Sequence, residues 1–378
     1  MRIGIDGLPL NVALTGIGHY TNELALHLAR EQSSDKIEVV SPRTFISSLN
    51  KDVPLPANIG FVRARLAFIN RRWWSIGLPR LIRRQPYDVF HGTNFEVPLQ
   101  NVCPSVVTIH DLSMLLHSAT HEKRLVRRAR SRIPIMARAA TMVITPTETV
   151  RDEVRQHLGI PLERIVALPE AARDCFQPLN DDQTVQVRKR LGINGEFLLY
   201  VGTVEPRKNL ETLLRAFEAV CSTHARPLQL VLAGRKGWLI DDLLNSFKRS
   251  PDAKQIKLTG YLSDRELCAL YSSCAAFVYP SVYEGFGLPP LEAMACGAPV
   301  IASQIPSLAE VIGSAARLFT PENAEQLAAS IFDVILSDKL RSELSKAGLK
   351  HSAKFTWAAT AKATREVYVE AIERYQRD

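Results

Sequence analysis

Short, almost continuously apolar runs recur along the chain, and each is followed by a stretch with helical periodicity. Residues 197–201 and 228–233 are typical of these runs. Such runs suit parallel strands that helices cover on both faces. Their steady alternation with helices predicts an α/β fold built from doubly wound parallel sheets. The expected strands are 2–6, 36–40, 59–62, 87–91, 105–109, 141–145, 164–168, 197–202, 228–233, 256–259, 275–279, 298–302 and 316–319.

The length of 378 residues predicts two domains, at roughly 100–200 residues per domain. A polar, turn-forming stretch at residues 177–182 separates two strand–helix series. We therefore expect an N-terminal domain at 1–180 and a C-terminal domain at 181–355. Residues 356–378 have the pattern of one long helix, which we expect to pack back on the N-terminal domain.

Composition narrows the class of protein. No apolar run approaches the ~20 residues that a membrane-spanning helix needs. The chain starts directly with a strand pattern and shows no secretory signal, which predicts a cytoplasmic location. None of the six cysteines has Cys-x-x-Cys spacing, so we expect reduced thiols and no metal site.

The net charge of +8 is concentrated in the first half of the chain. Residues 1–178 hold 23 Lys and Arg against 16 Asp and Glu, a balance of +7, whereas the remainder holds 24 against 23, a balance of +1. Two basic tracts, 53–87 and 121–138, contribute much of the excess, and Trp73 and Trp74 lie in the first.

Arginine beside interfacial tryptophan predicts peripheral binding to an anionic membrane, on the inner face of the cytoplasmic membrane. An ordinary solvated basic face remains the alternative. A nucleic-acid partner is not expected, because no nucleic-acid motif accompanies the tracts. The basic residues concerned are Arg63, Arg65, Arg71, Arg72, Arg80, Arg83, Arg84, Lys123, Arg124, Arg127, Arg128, Arg130, Arg132 and Arg138.

Three glycine-containing segments follow expected strands and can approach an anionic ligand closely. Gly16 and Gly18 precede a helical pattern whose amino end favours negative charge. Gly202 ends a strand, and Arg207 and Lys208 follow it near the start of a helix, where they can neutralise a diphosphate. A structural tight turn and two exposed helix-start cations are the respective alternatives.

The third segment, residues 280–297, is the most specific. Glu284 lies in a loop, and Glu292 lies about one turn into the helix that follows. The amides of Phe286, Gly287 and Leu288 precede that helix and can bind an anion. Glu292 can accept hydrogen bonds from sugar hydroxyls. A capped helix with two surface glutamates is the alternative.

Two histidines end expected strands. His110 follows the strand 105–109, which places it well for a ligand, although a structural role is the alternative. Residues 91–94, His-Gly-Thr-Asn, end another strand and form a candidate wall of an acceptor site.

Glu284 and Glu292 are separated by seven residues, and their surroundings resemble the signature of the large retaining glycosyltransferase family four. Segments 16–18, 108–111 and 202–210 resemble the same family at matching places, so the resemblance covers essentially the whole chain. It implies the GT-B fold, with two facing Rossmann-like domains and a cleft between them. The acceptor site would lie mainly in the first domain and the donor site mainly in the second.

The resemblance also implies the role of each residue. Glu284 would contact the transferred sugar and Glu292 the ribose, Arg207 and Lys208 would hold the diphosphate, and His110 would lie by the donor sugar. Many relatives carry an arginine directly after the glycine that ends the first strand of the second domain, where this chain has Thr203. Whether Arg207 replaces that arginine stays open. The expected catalytic residues are His110, Glu284, Lys208 and Arg207, and the expected donor-binding residues are Gly16, Gly18, Gly202, Arg207, Lys208, Glu284, Phe286, Gly287, Leu288 and Glu292.

No Asp-x-Asp triplet, a common divalent-ion motif of the other major glycosyltransferase fold, occurs in the chain. We therefore expect a metal-independent enzyme without a cofactor. Its Glu-Pro-Arg-Lys-Asn-Leu segment resembles bacterial mannosyltransferases, which implies retaining transfer of a hexose from GDP-mannose to a lipid-linked or lipopolysaccharide-type acceptor. A GDP-deoxyhexose or UDP-sugar donor, a nucleotide-sugar epimerase and a non-catalytic binding protein are the alternatives.

Overall fold

The computed structural model of the protein describes residues 1–12, 14–45, 54–64, 72–223 and 226–377. The chain divides into two compact units. Unit 1 comprises residues 1–112, 127–170 and 356–378, and unit 2 comprises residues 113–126 and 171–355. Segment 113–126 thus groups with unit 2, which the polar stretch at 177–182 does not indicate.

Unit 1 is built on a parallel sheet. Its strands are β1 (Arg2–Asp6), β2 (Lys36–Ser41), β3 (Ile59–Arg63), β4 (Val89–Gly92), β5 (Ser105–Thr108), β6 (Met142–Thr145) and β7 (Ile165–Ala167). They lie in the order β3-β2-β1-β4-β5-β6-β7, and neighbouring strands are parallel.

Unit 2 contains a second parallel sheet. Its strands are β8 (Glu196–Val201), β9 (Leu228–Ala233), β10 (Ile256–Gly260), β11 (Ala276–Tyr279), β12 (Val300–Ser303) and β13 (Arg317–Phe319), in the order β10-β9-β8-β11-β12-β13.

Helices connect most of these strands. In chain order they are α1 (Gly16–Glu31), α2 (Leu78–Arg84), α3 (Ser113–Leu116), α4 (Lys123–Ala139), α5 (Glu148–Leu158), α6 (Asp181–Arg190), α7 (Leu210–Thr223), α8 (Asp241–Arg249), α9 (Asp264–Ser273), α10 (Leu288–Ala295), α11 (Pro306–Ile312), α12 (Ala324–Leu336), α13 (Asp338–Ser352) and α14 (Trp357–Arg377). No helix in the described part of the chain combines the length and apolar composition needed to cross a membrane.

The apolar runs form these strands because both faces of each sheet are covered. In β8, the side chains from Phe197 to Tyr200 are completely buried, and a fully buried Leu or Phe side chain contributes roughly 1.5–3 kcal/mol. On α1, Tyr20, Leu24 and Leu28 recur every four residues and are all buried. Helix α14 packs against α1 within unit 1.

The strand order of each sheet reverses beside its first strand. In unit 1, β1 lies between β2 and β4, and in unit 2, β8 lies between β9 and β11. Open α/β sheets bind ligands at the carboxyl ends of the strands at such a switch point. The segments that follow β8 and β11 are residues 202–210 and 280–288, which were singled out from the sequence.

The predicted fold class is confirmed: each unit is a doubly wound, Rossmann-like parallel sheet. Each predicted strand is present, with its ends displaced by at most two residues. One local prediction was wrong, because Gly16 and Gly18 lie inside the first turn of α1 rather than in a loop before it. The helix expected near Pro206 begins there as the 3-10 turn Pro206–Lys208, which is separate from α7. Asn209 ends that turn in the left-handed conformation, with φ of 52°.

The prediction that Trp73 and Trp74 lie at a membrane interface was also wrong. Trp73 and Trp74 lie in the π-helical turn Trp73–Gly77 and are only 3% and 6% exposed, so they are not displayed to a membrane. They are buried because their rings pack inward, with Trp74 lying edge-on to Phe90 at 6.5 Å. Arg65 and Arg71 of the same tract lie outside the described residues.

Candidate functional site

The site in unit 2 begins at the end of β8, where the backbone must approach a neighbouring side chain closely. Gly202 adopts φ of 154°. A Cβ atom at this position would lie 2.6 Å from the Tyr200 hydroxyl oxygen, so only glycine fits without displacement. The chain then turns through Pro206–Lys208, which directs both cations toward the loop after β11.

Arg207, Lys208 and Glu284 meet in one cluster. The Lys208 ammonium donates to Glu284 Oε1 at 2.5 Å and to the Tyr279 hydroxyl at 3.1 Å. Arg207 Nη1 donates to Glu284 Oε2 at 2.9 Å, and its Nη2 donates to Glu205 Oε1 at 2.8 Å. Glu284 therefore bridges both cations with its two oxygens, and Glu205 supplies a second counter-charge.

Burial sets the electrostatics of this cluster. Glu284, Lys208 and Glu205 are 7%, 6% and 4% exposed. Burial alone would raise the pKa of the Glu284 carboxyl, but the Arg207 and Lys208 cations outweigh it and lower the pKa to about 2. The pKa of the Lys208 ammonium is lowered by burial and by Arg207, because Lys208 shares its carboxylate with a second cation. The Glu284 carboxyl is therefore ionised at neutral pH.

The start of α10 offers backbone donors beside this cluster. Gly287 precedes the helix with φ of 97°, and a Cβ atom there would lie 2.4 Å from Leu308 Cδ2. Within the described residues, no side chain caps the helix at Gly287. The first amides of a helix have no partner inside it, so those near Phe286, Gly287 and Leu288 suit an anionic ligand.

Glu292 has its own set of partners on α10. Arg173 Nη2 lies 3.6 Å from Glu292 Oε1, and the Tyr271 hydroxyl donates to Oε2 at 3.3 Å. Arg173 also binds Asp264 at 2.5 Å. Burial raises the pKa of Glu292 despite the opposing Arg173. Glu292 is therefore separate from the Glu284 cluster in its contacts, and its expected role at the ribose stays a prediction.

His110 belongs to unit 1 and is held at both ring nitrogens. Its Nε2 donates to the Thr93 carbonyl oxygen at 2.9 Å, and its Nδ1 lies 3.1 Å from Glu170 Oε1. Burial opposes protonation, but Glu170 outweighs it and raises the pKa of His110. Contact of His110 with the donor sugar stays a prediction.

His91 is a core residue, which corrects the expectation that it lines an acceptor wall. It is completely buried, and its nitrogens lie 2.7 Å from the Tyr368 hydroxyl and 2.7 Å from Thr108 Oγ1. Burial, with a smaller contribution from His110, lowers the pKa of His91 to about 3, so the ring is neutral. Thr93 is also completely buried, whereas Asn94 is half-buried.

The two glycines of α1 differ in how much space surrounds them. Gly16 is exposed, and a Cβ atom there would meet nothing within 4 Å among the described atoms. Gly18 is buried, and a Cβ atom there would lie 2.9 Å from Leu14 Cδ2. Gly18 is thus explained by packing, and binding of a donor by either glycine stays a prediction.

Sequence reasoning missed the residues that hold the expected site residues in place. Glu205 carried a signal, because an acid two positions before Arg207 can pair with it. The others lie far along the chain from the residue that each contacts, so the sequence carried no local signal for them. They are Tyr279, Glu170, Arg173, Tyr271 and Asp264.

Two family models match the chain in succession. The model described as Glycosyltransferase Family 4 matches residues 14–171, and the model described as Glycosyl transferases group 1 matches residues 184–351. These matches cover both units and every expected site residue.

Individual proteins agree with the family matches. The O-antigen chain mannosyltransferase B of Escherichia coli is 31% identical over 382 residues, which cover 97% of this chain and 99% of that protein. The serotype-specific mannosyltransferase WbdA of Escherichia coli is 30% identical over 244 residues, covering 63% of this chain and 30% of that protein. Sucrose-phosphate synthase from Thermosynechococcus elongatus has a similar structure, with a TM-score of 0.79, 20% identity and 98% coverage of each chain. This last likeness shows the GT-B fold.

Proposed function

Since the chain belongs to glycosyltransferase family four, we propose that it transfers mannose from GDP-mannose to a lipid-linked or lipopolysaccharide-type glycan, with retention of configuration. The observation that carries this proposal is the Arg207–Lys208–Glu284 cluster at the switch point of the second sheet. The mannosyl donor is supported by the E. coli O-antigen mannosyltransferase, which matches nearly the whole chain.

The chemistry requires a diphosphate to leave. The bond between the anomeric carbon and the phosphate oxygen breaks, and the electron pair stays on the departing diphosphate. An acceptor hydroxyl oxygen bonds to the anomeric carbon from the same face, and its proton passes to the departing phosphate. Arg207, Lys208 and the amides before α10 stabilise the charge that develops, and each such donor contributes about 3 kcal/mol.

Glu284 acts through the two cations in this proposal. Its carboxylate orients Arg207 and Lys208 before the donor arrives, which is the preorganisation that electrostatic catalysis needs. Its low pKa keeps it charged at neutral pH, so it can also accept a hydrogen bond from a hydroxyl of the moving sugar. No divalent ion is required, because cations and amides take its place at the phosphates.

We also propose that the protein works at the inner face of the cytoplasmic membrane, where a lipid-linked acceptor is found. The described arginines of α2, namely Arg80, Arg83 and Arg84, are all exposed. Each basic residue near an anionic surface contributes about 1 kcal/mol, so a few of them hold the protein reversibly.

The test is incubation of the purified protein with GDP-mannose, GDP-rhamnose, UDP-glucose or UDP-N-acetylglucosamine, with and without a lipid-linked glycan. We expect mannosylated lipid and GDP only when GDP-mannose and acceptor are both present, with the anomeric configuration retained in the product. Consumption of another donor would refute the assignment of mannose. Conversion of UDP-N-acetylglucosamine without an acceptor would indicate an epimerase instead.

A further inference from the structure

We propose that a cavity at the switch point of the first sheet binds the phosphoryl group of a lipid-linked acceptor, which deepens the proposed function and rests on it. The cavity has a volume of about 160 Å³. It is lined by Leu8, Pro42, Arg43, Arg72, Trp73, Trp74, Ser75, Glu96, Leu99, Arg128 and Arg132. All of these residues belong to unit 1, and none belongs to the donor-phosphate cluster of unit 2.

The position of the cavity follows from the strand order. Leu8 comes shortly after β1, Arg43 after β2 and Glu96 after β4. Because β1 lies between β2 and β4, these three residues mark the carboxyl edge of the sheet where its order reverses. This edge is where open α/β sheets bind ligands, so the cavity is placed as a binding site and not as a surface irregularity.

The charge of the lining favours a multiply charged anion. Four arginines face one acid, Glu96, an excess of three positive charges. Glu96 lies 2.6 Å from Arg132 and 3.4 Å from Arg128. Among the described residues, the guanidinium groups of Arg43 and Arg72 have no side-chain partner. One carboxylate of a ligand would satisfy at most one or two of these groups, whereas phosphoryl oxygens accept from several at once.

Two buried nitrogen donors of residues that line the cavity lack an acceptor among the described residues. Trp73 Nε1 and Arg132 Nε have no hydrogen-bond partner anywhere in the described chain. Trp73 is 3% exposed, and its indole nitrogen can only donate. Leaving a buried donor unpaired costs about 1–3 kcal/mol, so a shift of either side chain toward the oxygen atoms of a bound ligand would be favourable. The π-helical turn that carries Trp73 is a backbone form found often at functional sites.

Size and apolar surface decide what carries the phosphoryl group. A water molecule occupies about 30 Å³ in the liquid, so the cavity holds a group the size of a few waters and not an oligosaccharide. Leu8, Leu99 and Trp74 provide apolar surface beside the arginines, and Leu99 is 38% exposed. A phosphoryl group joined to a hydrocarbon chain matches this pairing of cations with apolar side chains.

The experiment compares Arg43→Gln/Arg72→Gln with the matched control Arg30→Gln/Arg155→Gln, whose positions lie outside both the cavity and the two basic tracts. Both variants remove two exposed positive charges from unit 1, but only the first pair lines the cavity. Binding of farnesyl diphosphate, inorganic pyrophosphate and phosphatidylglycerol vesicles is measured by calorimetry without nucleotide. The wild type should bind farnesyl diphosphate more tightly than pyrophosphate, and the cavity variant should lose roughly tenfold or more in affinity. The control should match the wild type.

Several results would overturn the inference. Equal affinity of the wild type, the cavity variant and the control for farnesyl diphosphate would refute the cavity as the binding site. Equal affinity of the wild type for pyrophosphate and farnesyl diphosphate would refute a role for the hydrocarbon chain in binding. Cavity-dependent binding to vesicles without binding to farnesyl diphosphate would identify a bilayer phospholipid headgroup as the ligand instead.

Turnover separates this inference from the proposed function. If GDP-mannose is the donor, the cavity variant should raise the KM for a lipid-diphosphate acceptor about tenfold and leave the KM for GDP-mannose unchanged. A wild type that consumes no GDP-mannose would refute GDP-mannose as the donor. The binding measurements would still decide whether the cavity binds the phosphoryl group. An acceptor KM that is unchanged in an active cavity variant would refute the cavity alone.

Discussion

The two switch points of the molecule manage positive charge in different ways. In unit 2, the buried Lys208 and the half-buried Arg207 are matched by two buried carboxylates, Glu205 and Glu284. In unit 1, four arginines share one acid, and three of them, Arg43, Arg72 and Arg128, are exposed. A buried cation without a counter-charge costs several kcal/mol, whereas water solvates an exposed one. Lys208 and Arg207 are therefore held in place by carboxylates before a ligand binds, whereas the exposed arginines of unit 1 keep their charge available.

The largest expected effect comes from the buried Lys208. Lys208→Ala should reduce turnover at saturating donor by ~10²-fold or more, since it removes a donor to the leaving diphosphate. Lys254→Ala, at an exposed position of unit 2, is the control and should retain normal turnover. Circular dichroism checks that both variants are folded. Near-normal turnover of Lys208→Ala would remove Lys208 from the phosphate site.

The two glutamates should separate binding from chemistry. Glu292→Gln should weaken GDP binding roughly tenfold, as expected for loss of a charged hydrogen-bond acceptor at the ribose. Glu284→Gln should leave GDP affinity closer to normal and chiefly lower turnover, because it disturbs the orientation of both cations. Calorimetry with GDP and single-turnover rates decide between them, and equal loss of GDP affinity in both variants would contradict the division of roles.

Membrane binding by the exposed arginines of unit 1 should respond to salt, unlike the carboxylate-paired cations of unit 2. Arg80→Glu/Arg84→Glu should reduce binding to anionic vesicles several-fold at low salt, at about 1 kcal/mol per basic residue. Raising the salt from 0.1 M to 1 M shortens the Debye length from about 10 Å to about 3 Å and should release the wild type. Co-sedimentation with neutral and anionic vesicles measures this. Equal binding to both would leave these arginines as an ordinary solvated face.

Glu284 also gives a dependence of stability on pH. Its pKa falls from 4.5 to about 2 on folding, so its contribution to the free energy of unfolding is fully present above pH 4.5. The contribution is lost as the pH falls through about 2. The stability gap between the wild type and Glu284→Gln should therefore be constant from pH 7 to about 5 and shrink toward pH 3. Urea denaturation across this range measures it, and a gap that widens on acidification would contradict the pKa.

The smallest expected effect is that of metal removal. Because arginine, lysine and helix amides are proposed to take the place of a divalent ion, turnover should be unchanged after exhaustive treatment with EDTA. Lost activity that Mg²⁺ or Mn²⁺ restores would show that Arg207, Lys208 and the helix amides do not suffice.

Strands and the major helices could be predicted because their signals are local. An apolar run of a strand and the four-residue spacing of Tyr20, Leu24 and Leu28 are visible without knowing the partners. The burial of Trp73 and Trp74 was hidden by their arginine neighbours, since it depends on packing within unit 1. The place of residues 113–126 in unit 2 likewise has no local signal.

The candidate functional site could also be predicted only where its signals are local. Its members could be named from glycine loops, strand ends and resemblance, and Arg207, Lys208 and Glu284 do lie together. Their pairing could not be read, because Glu284 lies 76 residues beyond Lys208 in the chain. Glu170 lies 60 residues from His110 for the same reason. Contacts of this kind depend on which strands become neighbours.

The hydrogen bond from α14 into the first sheet has a consequence for synthesis on the ribosome. Tyr368 pairs with His91 in the core of unit 1, so that core is incomplete until residues 356–377 have been made. Unit 2 ends at residue 355, so all of its residues are made earlier. Translation adds about 5–20 residues per second. The nascent first unit therefore stays incomplete, without the helix that packs against α1, for about ten seconds or more after its early strands emerge.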